Sequence, residues 1–201
     1  KFFSKLLTLK ILLALTQIKK AFIFFSILLL LSIFYFELNP RFIQNINEES
    51  FNDFDVTIYR DRFGVPHIIG KKDKDTAYGL AYAHAEDDFE TIQDMMLFAR
   101  GKLASKKGRK MASSDYLLQL LKVWEVVNAN YDSNVSAETK SILNGYAAGL
   151  NHYALKNPKM TYRGLFPVTA KDIIAGFVHR MPLMFGLDNA IKNATEKGES
   201  E

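Results

Sequence analysis

Between Val56 and Gly101 the apolar pattern of the chain changes period once, and that change limits the folds open to it. Val56, Ile58 and Tyr59 are strand formers, Gly64 and Pro66 punctuate a bend, and Ile68 and Ile69 close a second short run. This predicts two short strands bent around Gly64. Asp75 then stands where an N-cap is expected. After it Ala77, Leu80, Ala81, Ala85, Phe89, Ile92, Met96 and Ala99 recur three or four residues apart, which predicts one long amphipathic helix ended by Gly101.

The helical period returns three times. Lys102 to Lys110 carries five basic residues around Gly108 and reads as a solvated loop in preference to a binding patch. Ser113 or Ser114 caps a helix whose Leu117, Leu120, Leu121, Trp124 and Val127 form one apolar stripe, a core face rather than a cofactor box. Ser136 caps another, with Ile142, Leu143, Tyr146, Ala147, Leu150 and Tyr153 in register. Asn157-Pro158 stops it. Thr169, with Asp172 three residues on, opens a last helix from Ala170 to about Phe185. Its apolar residues occupy more than one face and leave Lys171, Asp172, His179 and Arg180 to meet water or a partner. Such a helix needs cover on most sides, more than this chain supplies.

Upstream, Ala21 to Phe36 is sixteen residues without a charge, behind Lys19-Lys20. At about 1.5 Å per residue it spans roughly 24 Å, a little short of a bilayer core of roughly 30 Å, with Leu38 and snorkelling lysines to close part of the gap. A signal peptide and a signal anchor both fit; the lack of a small-x-small site after Phe36 favours an anchor. Lysines before the segment place the rest of the chain outside the cytoplasm, periplasmic in a bacterium, with cleavage and release as the alternative. The organisation expected is a basic lead (1–20), a membrane segment (21–38), a polar linker (39–54), a domain (55–191) and a polar tail (192–201). The chain carries +4 overall, but six basic residues up to Arg41 face only Glu37, and the remainder holds 20 basic and 21 acidic side chains. The folded part therefore offers no net attraction to nucleic acid, and no nucleic-acid partner is expected.

The residues assemble no familiar catalytic arrangement. There is no cysteine, so disulfides and thiolate chemistry are excluded. His67, His84, His152 and His179 lack zinc-site spacing. His84 and Asp88, one helical turn apart, read as a surface hydrogen-bonded pair before a metal site. Neither a Gly-x-Ser-x-Gly elbow nor a phosphate loop occurs.

Four pieces in order, Phe63-Gly64-Val65-Pro66-His67-Ile68, Tyr78-Gly79-Leu80-Ala81-Tyr82, Ala85-Glu86-Asp87 and Ala99-Arg100-Gly101-Lys102-Leu103-Ala104, closely resemble the start of the α chain of the penicillin acylase family. That family includes penicillin, cephalosporin and acyl-homoserine lactone acylases. Gly64, Pro66, His67, Gly79, Glu86, Asp87 and Gly101 are the motif positions. The resemblance covers about Asp55 to Asn189. It implies an α+β fold: the mostly helical α-chain portion of an N-terminal-nucleophile hydrolase, whose αββα sandwich is completed by a β chain absent here, preceded by an N-terminal membrane segment. It also implies the chemistry. A precursor cuts itself, and the new α-amine, with a pKa near 8, activates the side chain of its own residue, usually serine. The oxyanion of the acyl-enzyme is held by donors from the second chain.

Ser200 has one residue after it, and Ser113, Ser114 and Ser136 lie inside the α-like region, so the nucleophile is expected beyond Glu201. The absence of an initiator methionine agrees with a piece of a longer precursor. The resemblance implies that Met181 and Phe185, a Met and a Phe four apart, belong to the acyl-side pocket, with Phe177 beside them; the alternative is core against the missing β chain. Two departures stand out. Asp88 follows Ala-Glu-Asp where relatives often carry a basic residue. Calcium-binding members use an acidic residue soon after the pocket aromatic, and only Asp188 is near, a poor match, so no cofactor is expected. The function expected is hydrolysis of an amide between a hydrophobic acyl group and an amine core, with the β chain, a membrane and an N-acyl amide substrate as partners. The rival is a membrane-tethered, non-catalytic helical binding module.

Overall fold

The computed structural model describes residues 2–38, 46–187 and 189. Residues 39–45, Asp188 and the polar tail lie outside the described residues. Two units, Lys1–Arg41 and Phe42–Glu201, are considered separately. The first is one helix, α1 (Phe2–Leu38). Its segment Leu15–Tyr35 is long and apolar enough to cross a membrane or to serve as a signal sequence. Twenty-one residues rise about 31 Å, so the helix extends past the sixteen-residue stretch and reaches bilayer thickness.

The second unit begins with a 3-10 turn, Glu48–Asp53, in the second half of the stretch expected as linker. It is docked: Phe51 is buried and stacks on His152 at 4.5 Å. Strands β1 (Val56–Arg60) and β2 (Pro66–Gly70) pair antiparallel, with Ile58 opposite Ile68 and Tyr59 opposite His67. Gly64, at φ +83°, makes the bend a side chain would resist. Asp61 ties the turn by accepting the amides of Phe63 at 2.8 Å and Val65 at 3.0 Å.

Helix α2 (Asp73–Ala99) comes next. It starts three residues earlier than the sequence suggests. Lys72 is the N-cap, and Asp75 serves from inside the first turn, its carboxylate accepting the Lys72 amide at 3.1 Å. The helix is also broken: Asp88 leaves helical geometry and caps the next turn by accepting the Thr91 amide at 3.1 Å. An apolar repeat that keeps phase across one residue hides such a kink.

The basic loop contains a short α3 (Ala104–Lys107) and a 3-10 turn. The single helix expected after Ser113 is two, α4 (Ala112–Leu120) and α5 (Val123–Asn134), because Lys122 turns left-handed at φ 51°. The turn lets Leu118 and Val123 point into one core, and Trp124 donates its indole N–H to the Ala99 carbonyl at 2.9 Å. Helix α6 (Ala137–Lys156) begins at Ser136, whose hydroxyl accepts the Thr139 amide. Helix α7 (Ala170–Met184) opens with Asp172 accepting the Thr169 amide at 2.7 Å.

The core is the crossing of α2 and α6. Ala81, Ala85, Phe89, Leu150, Tyr153 and Leu165 are buried there, and burying a side chain such as Phe89 contributes about 2 kcal/mol. The helices come close because α6 has no side chain at two contact points. A Cβ on Gly145 or Gly149 would lie 2.2 Å from the carbonyl oxygen of Lys74 or Tyr78. A second cluster, Ala99, Leu118, Val123, Val127 and Ala175, joins the end of α2 to α5 and α7.

Candidate functional site

The motif residues fall into two places. The first joins the hairpin to α2. A Cβ on Gly79 would meet the methyls of Val56 and Ile68 at 2.7 and 2.8 Å, so glycine lets α2 lie directly on the sheet. Arg60, at the end of β1, reaches across to Glu86 at 3.1 Å and Asp87 at 2.8 Å, and also donates to the Gly64 carbonyl at 2.8 Å. The bonds to the two carboxylates raise its pKa further. The Ala-Glu-Asp piece thus pairs with a basic residue from the hairpin, independently of Asp88. Pro66 opens β2 opposite Arg60, and His67 stacks on Tyr59 at 4.7 Å. The Asp61 carboxyl beside His67 is held below its ordinary range, chiefly by the Phe63 amide.

The second place is α7. Gly101, at φ +63°, comes after Arg100, whose guanidinium grips Asp172 at 2.6 and 2.9 Å and donates to the carbonyls of Leu165 and Pro167. Burial pushes the Asp172 carboxyl up, but the hydrogen bonds and charge of Arg100 outweigh it and hold the group below the usual range. Arg100 therefore seats the first turn of α7 and the loop before it.

Beyond that turn the helix is inverted. Asp172, Ala175 and His179 face inward, all at or below 2 % exposure, while Phe177, Met181, Met184 and Phe185 are 62, 45, 72 and 81 % exposed. The expectation that Asp172 and His179 face outward is wrong. Seven residues apart, with Ala175 between them, they make one narrow face, and that face lies on α2.

Between α2, α6 and α7 runs an apolar groove of about 380 Å³, lined by Met95, Met96, Ile142, Tyr146 and Phe177 among others. A neighbouring hollow of about 440 Å³ lies against Phe98, Leu103 and Leu183. Of the three residues expected at an acyl pocket, Phe177 lines the groove; Met181 and Phe185 are exposed at the end of the same helix, where the Phe185 amide donates to the Met181 carbonyl at 3.2 Å. These surfaces can hold an aliphatic or aromatic group. Among the described residues the serine hydroxyls that form hydrogen bonds do so with backbone carbonyls or, at Ser136, with Thr139, and none with histidine. His84 bonds to the Tyr146 hydroxyl at 3.1 Å, in place of the Asp88 pairing expected. Among the described residues no three His, Asp or Glu side chains come together as a metal site.

The penicillin amidase family model matches residues 55–189. The chain belongs to that family. It is 31 % identical over 104 residues to the acyl-homoserine lactone acylase PvdQ of Pseudomonas fluorescens and 30 % identical over 98 residues to the penicillin acylase 2 proenzyme of a Pseudomonas species. Those matches cover 48 and 49 % of this chain but only 13 and 12 % of the relatives, so the chain spans about an eighth of their length. The fold resembles a thermostable penicillin G acylase from Alcaligenes faecalis, with a TM-score of 0.51 and 21 % identity over 66 % of this chain and 74 % of that one. This family member is mostly helical with a two-stranded sheet among its described residues.

Residue patterns alone missed three features of the site. Arg60 and Arg100 were legible as charges without partners, although Arg100 stands inside a motif piece. Gln93 sits on the apolar stripe of α2 and is buried, bonded to the Met160 carbonyl at 3.1 Å and the Tyr162 amide at 2.5 Å. Its place four residues from both Phe89 and Leu97 is the one local mark that it faces inward, against its polar side chain.

Proposed function

We propose that this chain is the N-terminal, α-chain part of an acylase precursor that hydrolyses the amide between a hydrophobic acyl group and an amine core. The acyl group is of the penicillin or the acyl-homoserine lactone type. The observation that carries this reading is the inverted α7 in a penicillin amidase family member: Phe177, Met181 and Phe185 stand exposed beside an apolar groove. Such a surface is what an acyl pocket needs when its other wall is supplied by a further part of the protein. In this reading the β chain covers α7, the acyl group lies against Phe177 and Met181, and Phe185 closes the end.

The nucleophile is the serine that becomes the first residue of the β chain. Its α-amine acts as base, which is why no serine–histidine pair is needed in this part. The role of α1 is to anchor the precursor, with the domain on the extracytoplasmic side.

The test joins this chain to the downstream part of its precursor and measures release of free amine from N-arylacetyl and N-acyl-homoserine lactone substrates. Hydrolysis that disappears when the first β-chain serine is replaced by alanine is expected. Hydrolysis that survives the replacement sinks the mechanism. A folded, cooperative domain without hydrolysis in any combination returns the chain to the tethered binding module.

A further inference from the structure

His179 is fully buried, yet neither ring nitrogen has a hydrogen-bond partner. Its ring lies flat on Phe98 of α2, 4.1 Å away and 11° from parallel. A buried imidazole without a partner behaves as an aromatic ring only while it is neutral. A proton would put an unpaired charge into that space.

The charged groups of the elements packed against α7 do not relieve this. On α2, Asp94 is paired with Lys107 at 2.7 Å and Arg100 with Asp172. On α5, Glu125 is exposed and Asp132 lies 3.7 Å from Lys140 of α6; Lys156 of α6 is paired with Glu48. On α7 itself, Lys171 bonds to Asn128 and Arg180 is exposed. Asp115 of α4 is taken up by the amides of Leu103 and Ala104.

The helix is also weak on both sides of His179. Gly176 leaves room for a Cβ, whose nearest neighbour would be the Ala99 methyl at 3.8 Å, so close packing does not require a glycine there. Pro182 has no N–H for the Val178 carbonyl. Only the first turn is clamped, by Arg100.

We propose that His179 makes the seating of α7 on α2 acid-sensitive: neutral, it packs against Phe98, and on taking up a proton it lets the second half of α7, from Gly176 on, leave the core. Linkage sets the direction. Burial lowers the His179 pKa below its ordinary 6.5. Above 6.5 the ring is neutral whether α7 is seated or released. Below it the released form binds the proton first, so release grows as pH falls from 6.5 to the seated value, and levels off beneath that. The device does not rest on the acylase reading; if that reading holds, acid would loosen the helix that carries Phe177 and Met181.

The experiment is hydrogen exchange on the full chain in detergent micelles, following the amides of Gly176 to Met181 at pH 7.5 and pH 5, corrected for intrinsic exchange. Opening is expected to increase at pH 5, up to a limit of about thirtyfold set by the released ring titrating at its ordinary 6.5. His179→Phe should remove that increase, with His179→Leu as the second variant should the first not fold. Gly176→Ala should reduce opening about fivefold at both pH values. Proton NMR of the wild-type ring gives an independent reading, with His179 expected to titrate below 6.5. Opening that is equal at the two pH values, an increase that persists in the folded His179 variant, or a ring that titrates at 6.5 or above overturns the proposal.

Discussion

Helix α2, besides lying on the hairpin, is packed by α6 and by α7, and these two helix contacts are built on different principles. Against α6 the contact is steric. Gly145 and Gly149 bring backbone to backbone, Ala81 and Leu150 fill the space between, and the hydrogen bonds of Tyr78 with His152 and of His84 with Tyr146 are neutral additions beside that close contact. Against α7 the contact is polar at one end and unfinished at the other: an Arg100–Asp172 clamp, then a partnerless imidazole, then apolar residues turned away. The first is a scaffold that has one arrangement. The second is a helix held at its start, with an exposed apolar outer face.

The largest expected effect breaks the clamp. Replacing Arg100 by methionine leaves Asp172, 3 % exposed at its side chain, without its cation, and should cost about 3 kcal/mol in a denaturant melt. A loss under about 1 kcal/mol would mean that α7 is seated by its apolar contacts after all. On the scaffold side, Gly149→Ala forces a methyl against the Tyr78 carbonyl and should cost about 2 kcal/mol as the helices separate. A neutral result would show that α2 and α6 can slide.

The acid response sharpens the same contrast. In the wild type Asp172 titrates below the usual carboxylate range, so its contribution is full above about pH 4 and is lost as pH falls through its seated value. In Arg100→Met, burial is left as the main influence and raises the group. The seated state then holds the proton more tightly than the unfolded one, and the penalty of the substitution should be smaller at pH 5 than at pH 7.5. A penalty that is constant with pH would remove Asp172 from the clamp. The smallest effect is on the outer face. Phe177→Ser, at a position 62 % exposed, should change the stability of this chain by less than about 0.5 kcal/mol while lowering amide hydrolysis in the joined precursor. A large loss of stability would place Phe177 in the core of this chain.

Most of the elements were legible in the sequence because they rest on local physics. The Gly64 bend needs positive φ, Ser136 caps where its hydroxyl meets the Thr139 amide, and the Thr169–Asp172 box marks the start of α7. The breaks were not legible. Lys122 in left-handed geometry and Asp88 outside helical geometry both sit where the apolar repeat continues without a gap, since a repeat records which residues are apolar and not whether the axis bends between them.

The residues alone determined the hairpin, the long helix behind it, the apolar N-terminal segment and the excess of apolar surface on α7. What the tertiary structure decided is which way α7 faces. By pattern, its charged and histidine residues belong outside; in the fold Asp172 is drawn in by Arg100, seventy-two residues away in the chain, and His179 by the ring of Phe98. The energy that turns the helix comes from partners distant in sequence, and no window of neighbouring residues contains them.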